Sequence, residues 1–124
     1  MTEVVSFEAA RNGARREAQR PESQRPEFFG KAELYQILQL YARKVALGEW
    51  RDYAMGLSEA GAEFAVYRRT AEMPLFRIIK RPRSWRRHGG RYMVTAPGRV
   101  VKVAFTLDAV LAELDRKSLS LVGG

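Results

Sequence analysis

The chain has 124 residues, 46% of them hydrophobic, with 22 basic against 14 acidic residues (formal charge +8), one histidine and no cysteine. That is room for one domain with a modest core, and it excludes disulfide frameworks, thiolate catalysis, iron–sulfur clusters and cysteine-held zinc. No apolar run approaches the roughly 18 residues that would cross a bilayer, and the start lacks the basic-then-apolar pattern of a secretory signal, so the expected setting is the cytoplasm, away from membranes.

Residues 1–27 read as a flexible polar tail. Arg11, Arg15, Arg16, Arg20 and Arg25 balance Glu3, Glu8, Glu17, Glu22 and Glu27, and Pro21 and Pro26 punctuate a segment with little to bury. A single α+β domain is expected over 28–118, with Phe28 and Phe29 pinning its start to the core and a frayed C-terminus over 119–124. Residues 31–47 carry the clearest helical signal. Leu34, Ile37, Leu38, Tyr41 and Val45 recur every three or four positions and form the expected core face, while Glu33, Gln36, Arg43 and Lys44 fall off it. The acid stands early and the bases late, as the helix dipole prefers, and Gly48 is the expected stop. Trp50 and Tyr53 are expected to close the end of the core.

The period then changes to two. Strands are expected at 53–57, 63–70, 75–81, 92–96 and 100–105, separated by turns at 58–61, 71–74 and 96–99 and by a loop at 83–91. Gly61 suits a positive φ, Gly89-Gly90 a tight reversal, and Pro97-Gly98 a type II turn. Such short links imply antiparallel neighbours. Thr106 then caps a helix whose apolar side is Leu107, Val110, Leu111 and Leu114, with Asp108 near its start and Arg116 and Lys117 at its close. The expected architecture is an N-terminal helix, a sheet of about five antiparallel strands and a C-terminal helix behind a disordered tail, one sheet face covered by both helices and the other partly open.

Charge is concentrated between residues 64 and 102, which hold half of the chain's basic residues and one acid, Glu72. Arginine offers a permanent charge and a planar fork that suits phosphate or carboxylate. Lys80, Arg81, Arg83, Arg86, Arg87 and Arg91 surround Trp85 and Tyr92, a combination that suits nucleic acid: cations for phosphates, rings for unpaired bases. Strand alternation sets Arg77 on the face opposite Lys80, so the strand cations do not all line one surface. The competing reading has Trp85 in a small satellite core and the arginines solvated or paired with acids of the tail. An enzyme is not expected. His88 stands alone amid cations that disfavour its protonation, and neither a nucleophile elbow, a phosphate loop nor a metal-ligand spacing occurs. No cofactor is implied. The second functional reading is a protein-interaction module: an acidic protein partner, or a homodimer through the uncovered sheet face, or a partner strand added along 75–81 or 100–105.

Three stretches carry a family resemblance: Glu33-Leu34-Tyr35-Gln36-Ile37-Leu38; Gly48-Glu49-Trp50-Arg51-Asp52-Tyr53-Ala54; and Arg68-Arg69-Thr70-Ala71-Glu72-Met73-Pro74-Leu75-Phe76-Arg77-Ile78-Ile79-Lys80-Arg81-Pro82. They resemble a family of small alphaproteobacterial proteins known only as a domain of unknown function, over roughly residues 33–114. The resemblance implies a bacterial cytoplasmic protein with a helix-plus-strands domain, and it carries no activity, cofactor or catalytic residue.

Overall fold

The computed structural model describes residues 27–69, 73–83 and 89–117. The expected tail up to Pro26, the turn residues 70–72, the loop residues 84–88 and the C-terminus from Ser118 lie outside the described residues. The elements are helix α1 (Lys31–Ala46), strands β1 (Asp52–Ser58), β2 (Gly61–Tyr67), β3 (Phe76–Lys80), β4 (Tyr92–Ala96) and β5 (Arg99–Ala104), and helix α2 (Leu107–Arg116). The strands form one antiparallel meander in the order β1-β2-β3-β4-β5. This is the α+β architecture that the two periodicities predict.

Paired residues of neighbouring strands share a face, so the registers sort the side chains. Phe64 faces Ile78, and Ile78 faces Val94, along one row across the sheet. With Ala62 and Val66 these residues meet Ile37 and Leu40 of α1 and Leu107, Val110, Leu111 and Leu114 of α2 in one core, so both helices lie on the same side. Phe29 joins that core, while Phe28 packs edge-on against it from a more exposed position. Trp50 is buried, and Tyr53 stacks on Phe64 with ring centroids 4.9 Å apart. Arg77 pairs with Thr95 and Ala65 on the opposite face, as the alternation requires.

Helix α1 corrects the expected face. Leu38 and Val45 are 39% and 41% exposed, whereas Leu40 and Lys44 are 2% exposed. The buried stripe is rotated because Lys44 takes a core position. Its ammonium donates to Glu49 Oε1 at 3.2 Å and to the backbone carbonyls of Asp115 at 3.1 Å and Lys117 at 2.7 Å. A buried cation with three oxygen partners is tolerated, and two of these are carbonyls at the negative end of α2. Apolar spacing cannot register such an interaction. Arg43 reinforces the helix pair through Asp115 at 3.1 Å. Beyond Ala46, the Gly48 N–H donates to the Val45 carbonyl at 2.9 Å, which ends the helix where expected.

A second correction concerns the edges. Of the two stretches, 75–81 or 100–105, expected to offer an edge to a partner strand, the second is an edge as β5, but the first is not: β3 is the middle strand and both its sides are taken. The edges are β1 and β5. Strand β2 ends at Tyr67, which leaves Arg68 and Arg69 in the link that follows rather than in the strand. The β1–β2 hairpin closes through Glu59-Ala60, with Ser58 opposite Gly61. Gly61 has φ +127°, and a Cβ there would lie 2.0 Å from the Lys80 carbonyl oxygen. Glycine thus serves both the turn and the close approach of β3.

Candidate anion-binding surface

Two clusters of cations stand at opposite ends of the sheet. The first is the one that the residue pattern singles out, at the β3–β4 end. Lys80 closes β3 on the core face and is 6% exposed. Its ammonium donates to Glu33 Oε1 at 2.8 Å and to the Phe28 carbonyl at 3.1 Å. Glu33 stands in the first turn of α1 and also accepts from the Gly30 N–H at 2.7 Å and from the Tyr92 hydroxyl. Burial raises the Glu33 pKa, but the hydrogen bonds from Lys80, Tyr92 and Gly30 outweigh it, and the carboxyl ends below its ordinary 4.5. Tyr92 is pushed up to about 12, first by burial and then by its bond to the Glu33 carboxylate.

Arg81 and Arg91 tie the outgoing and returning chains together. Arg81 N–H donates to the Arg91 carbonyl at 2.7 Å, its guanidinium to the Gly90 carbonyl at 2.6 Å, and Arg91 Nε to the Arg81 carbonyl at 3.0 Å. Burial lowers the Arg81 pKa below its ordinary value. Gly90 sits at φ +133° with the Ala104 carbonyl 2.3 Å from where a Cβ would be, so the reversal depends on glycine. The guanidinium of Arg91 also pairs with Glu27, and Arg83 reaches the same carboxylate at 3.5 Å. Lys80, Arg81, Arg91 and Tyr92 therefore have partners within the fold. Arg83, with half of its side chain exposed, is the most open of the five described residues of this group. Trp85, Arg86 and Arg87 lie outside the described residues. The competing reading, arginines paired with acids of the tail, holds for Arg91 and Arg83 through Glu27, and the partner that sequence reasoning missed is Glu33. Position 33 is marked by its place in the first helical turn, but nothing local ties it to residues 80 and 92.

The second cluster stands at the other end. Tyr67 pairs with Asp52, Phe76 with Val66, and Ala96 with Arg99, so Arg51, Arg68, Arg69, Arg77 and Arg99 gather at the same end of the sheet. All five are exposed. Arg77 lies 3.5 Å from Glu63. Among the described residues, Arg51, Arg68, Arg69 and Arg99 have no acid within ion-pair distance. Beside them Met73, Pro74, Arg77, Thr95, Ala96, Pro97 and Gly98 line an open depression of about 230 Å³. No described helix is long and apolar enough to cross a membrane.

Comparison with curated proteins and with solved structures finds no match. A family model described as "Protein of unknown function (DUF2794)" matches residues 27–111, which takes in α1, every strand and the first half of α2. The expected resemblance to a domain of unknown function thus holds over most of the chain, and the protein belongs to the DUF2794 family.

Proposed function

We propose that the domain is a non-enzymatic binding module for polyanions, nucleic acid foremost, and that the arginines at the β2–β3 and β4–β5 end of the sheet are its principal contacts. One observation carries this reading. The cations buried by the fold are paired with acids or carbonyls, while Arg68, Arg69 and Arg99 stand exposed together at one end. Exposed guanidinium groups grouped around an open depression suit a phosphate backbone, because each can displace a condensed counterion and keep both prongs of its fork for oxygen. Arg83 stands at the far end, near in sequence to the basic residues Arg86 and Arg87. The chain's single histidine and lack of cysteine favour binding over catalysis.

The test is fluorescence anisotropy with short single- and double-stranded DNA and RNA across a salt series. Binding at roughly micromolar Kd near physiological salt, weakening with a log–log slope equivalent to several phosphates, is the expected result. Reversing Arg68, Arg69 and Arg99 to glutamate is expected to abolish it while the melting temperature holds. If only reversal of Arg83, Arg86 and Arg87 abolishes binding, the site belongs to the other end. Absence of binding to every probe at low salt would overturn the reading.

A further inference from the structure

We propose that strand β1 is the interface of a two-fold homodimer, in which two β1 strands pair antiparallel about Met55 and join two sheets into one. The two edges of the sheet are built differently. Strand β5 carries Arg99 and Lys102 and is broken in register at Val94/Thr95, features that discourage a further strand. Strand β1 reads DYAMGLS, with no charge after Asp52, no proline and an unbroken register to β2. A long, flat, uncharged edge is a liability unless something pairs with it.

The hairpin determines which backbone groups that edge offers. Ser58 and Gly61 flank a two-residue turn and form the first ladder pair, so Gly56 and Ala54 also bond inward. Tyr53, Met55 and Leu57 then aim N–H and C=O outward. The Tyr53 N–H indeed turns away from β2 and is met by Asp52 Oδ1 at 2.8 Å. A partner strand must match outward groups with outward groups, which an antiparallel copy centred on Met55 does over the full length of the strand once the Tyr53 N–H exchanges Asp52 Oδ1 for the partner's Leu57 carbonyl. Met55 exchanges both bonds with its own copy, and the Leu57 N–H reaches the partner's Tyr53 carbonyl. The same register sets Ala54 across from the partner's Gly56, and Arg51, just before the strand, across from the partner's Glu59, just after it. Opposite charges therefore meet at both ends of the pairing, and this complementarity favours a second copy over an unrelated peptide.

The side chains agree with the backbone. Tyr53, Met55 and Leu57 lie on the helix side of the sheet, yet Met55 and Leu57 are 45% and 54% exposed. Tyr41 of α1 stands edge-on to Tyr53 at 5.0 Å, which places the exposed Leu38 and Val45, one turn to either side of Tyr41, along the same border. This apolar ledge continues the core past the last strand. A two-fold copy sets Leu57 beside the partner's Tyr53 and closes the ledge on itself, so assembly stops at two.

Sedimentation equilibrium of the full chain at roughly 100 µM is the first measurement. Twice the 14.1 kDa chain mass is expected; a single 14.1 kDa species overturns the proposal. Met55→Lys places two like charges on the dyad and is expected to give the monomer mass with an unchanged circular dichroism spectrum. Arg51→Glu or Glu59→Arg alone is expected to weaken the dimer by about tenfold, and the two together to restore it. The chain has no cysteine, so oxidised Met55→Cys should cross-link to itself, the spacing of directly opposed strand residues being within disulfide reach. A dimer indifferent to Met55→Lys and to the charge swap lies elsewhere and refutes the proposal.

Discussion

Glu33 touches three parts of the fold at once: the start of its own helix, the end of β3 through Lys80 and the start of β4 through Tyr92. Removing its charge leaves the buried Lys80 ammonium with neutral oxygen partners alone, an amide oxygen at position 33 and the Phe28 carbonyl. Breaking a buried pair costs about 3–5 kcal/mol, and because Glu33 is a fifth exposed, Glu33→Gln is expected to lose about 2–3 kcal/mol in urea unfolding at neutral pH. The double variant Glu33→Gln/Lys80→Met should recover most of that loss. The pH dependence follows from the same pair. A carboxyl depressed below 4.5 by folding stabilises the protein above that value, and the contribution is lost as pH falls through the folded-state pKa. A phenol raised from 10.0 to about 12 stabilises the protein below pH 10, and that contribution is lost as pH rises towards 12. Urea midpoints across pH should therefore show Glu33→Gln flattening the acid limb and Tyr92→Phe the alkaline one.

At the scale of elements, helix α1 and the β1–β2 hairpin carry the least obvious constraints. Apolar spacing places a helix at residues 31–47 and sets Leu34, Ile37 and Tyr41 on the core, but it includes Leu38 and Val45 in place of Leu40 and Lys44, because no hydrophobic pattern includes a lysine. The interaction that holds Lys44 comes from the last turn of α2, more than seventy residues away. The second helix was legible in full: Leu107, Val110, Leu111 and Leu114 are its buried side, and Thr106 accepts from the Ala109 N–H at 3.3 Å. Its N-cap and stripe are local properties. In the hairpin, Gly61 is constrained by the tertiary structure as well as by its turn. Gly61→Ala must push against the Lys80 carbonyl and hold a φ that disfavours a side chain, and a loss of about 3 kcal/mol or more is expected. Gly56→Ala, on the same hairpin with open space around it, is the control and should change stability by less than about 1 kcal/mol.

For the whole molecule, the meander order sends five of the eight exposed arginines among the described residues to one end of the sheet and Arg81, Arg83 and Arg91 to the other. Antiparallel pairing of two copies about Met55 reverses one sheet relative to the other. The Arg68-Arg69-Arg99 end of each copy then lies on the same side as the Arg83 end of its partner. A long anion running along that side meets cations of both chains, and a short one meets those of a single chain. Met55→Lys is therefore expected to weaken binding of long duplex or single-stranded probes markedly, and of short ones little. Anisotropy with matched long and short probes checks this; equal loss for both would detach anion binding from the dimer.

By itself the sequence determined the elements, their order and the antiparallel links, because capping residues, turn glycines and the change of period from 3.6 to 2 act over a few residues. It also located the excess of positive charge. Only the tertiary structure decided which cations remain open, because charge is withdrawn from the surface by partners distant in the chain: Glu33 for Lys80, Glu27 for Arg91 and Arg83, the end of α2 for Lys44. It likewise decided that β3 is central and β1 an edge, since strand order follows from which hairpins share an edge, and a strand's own residues do not record how many neighbours it has.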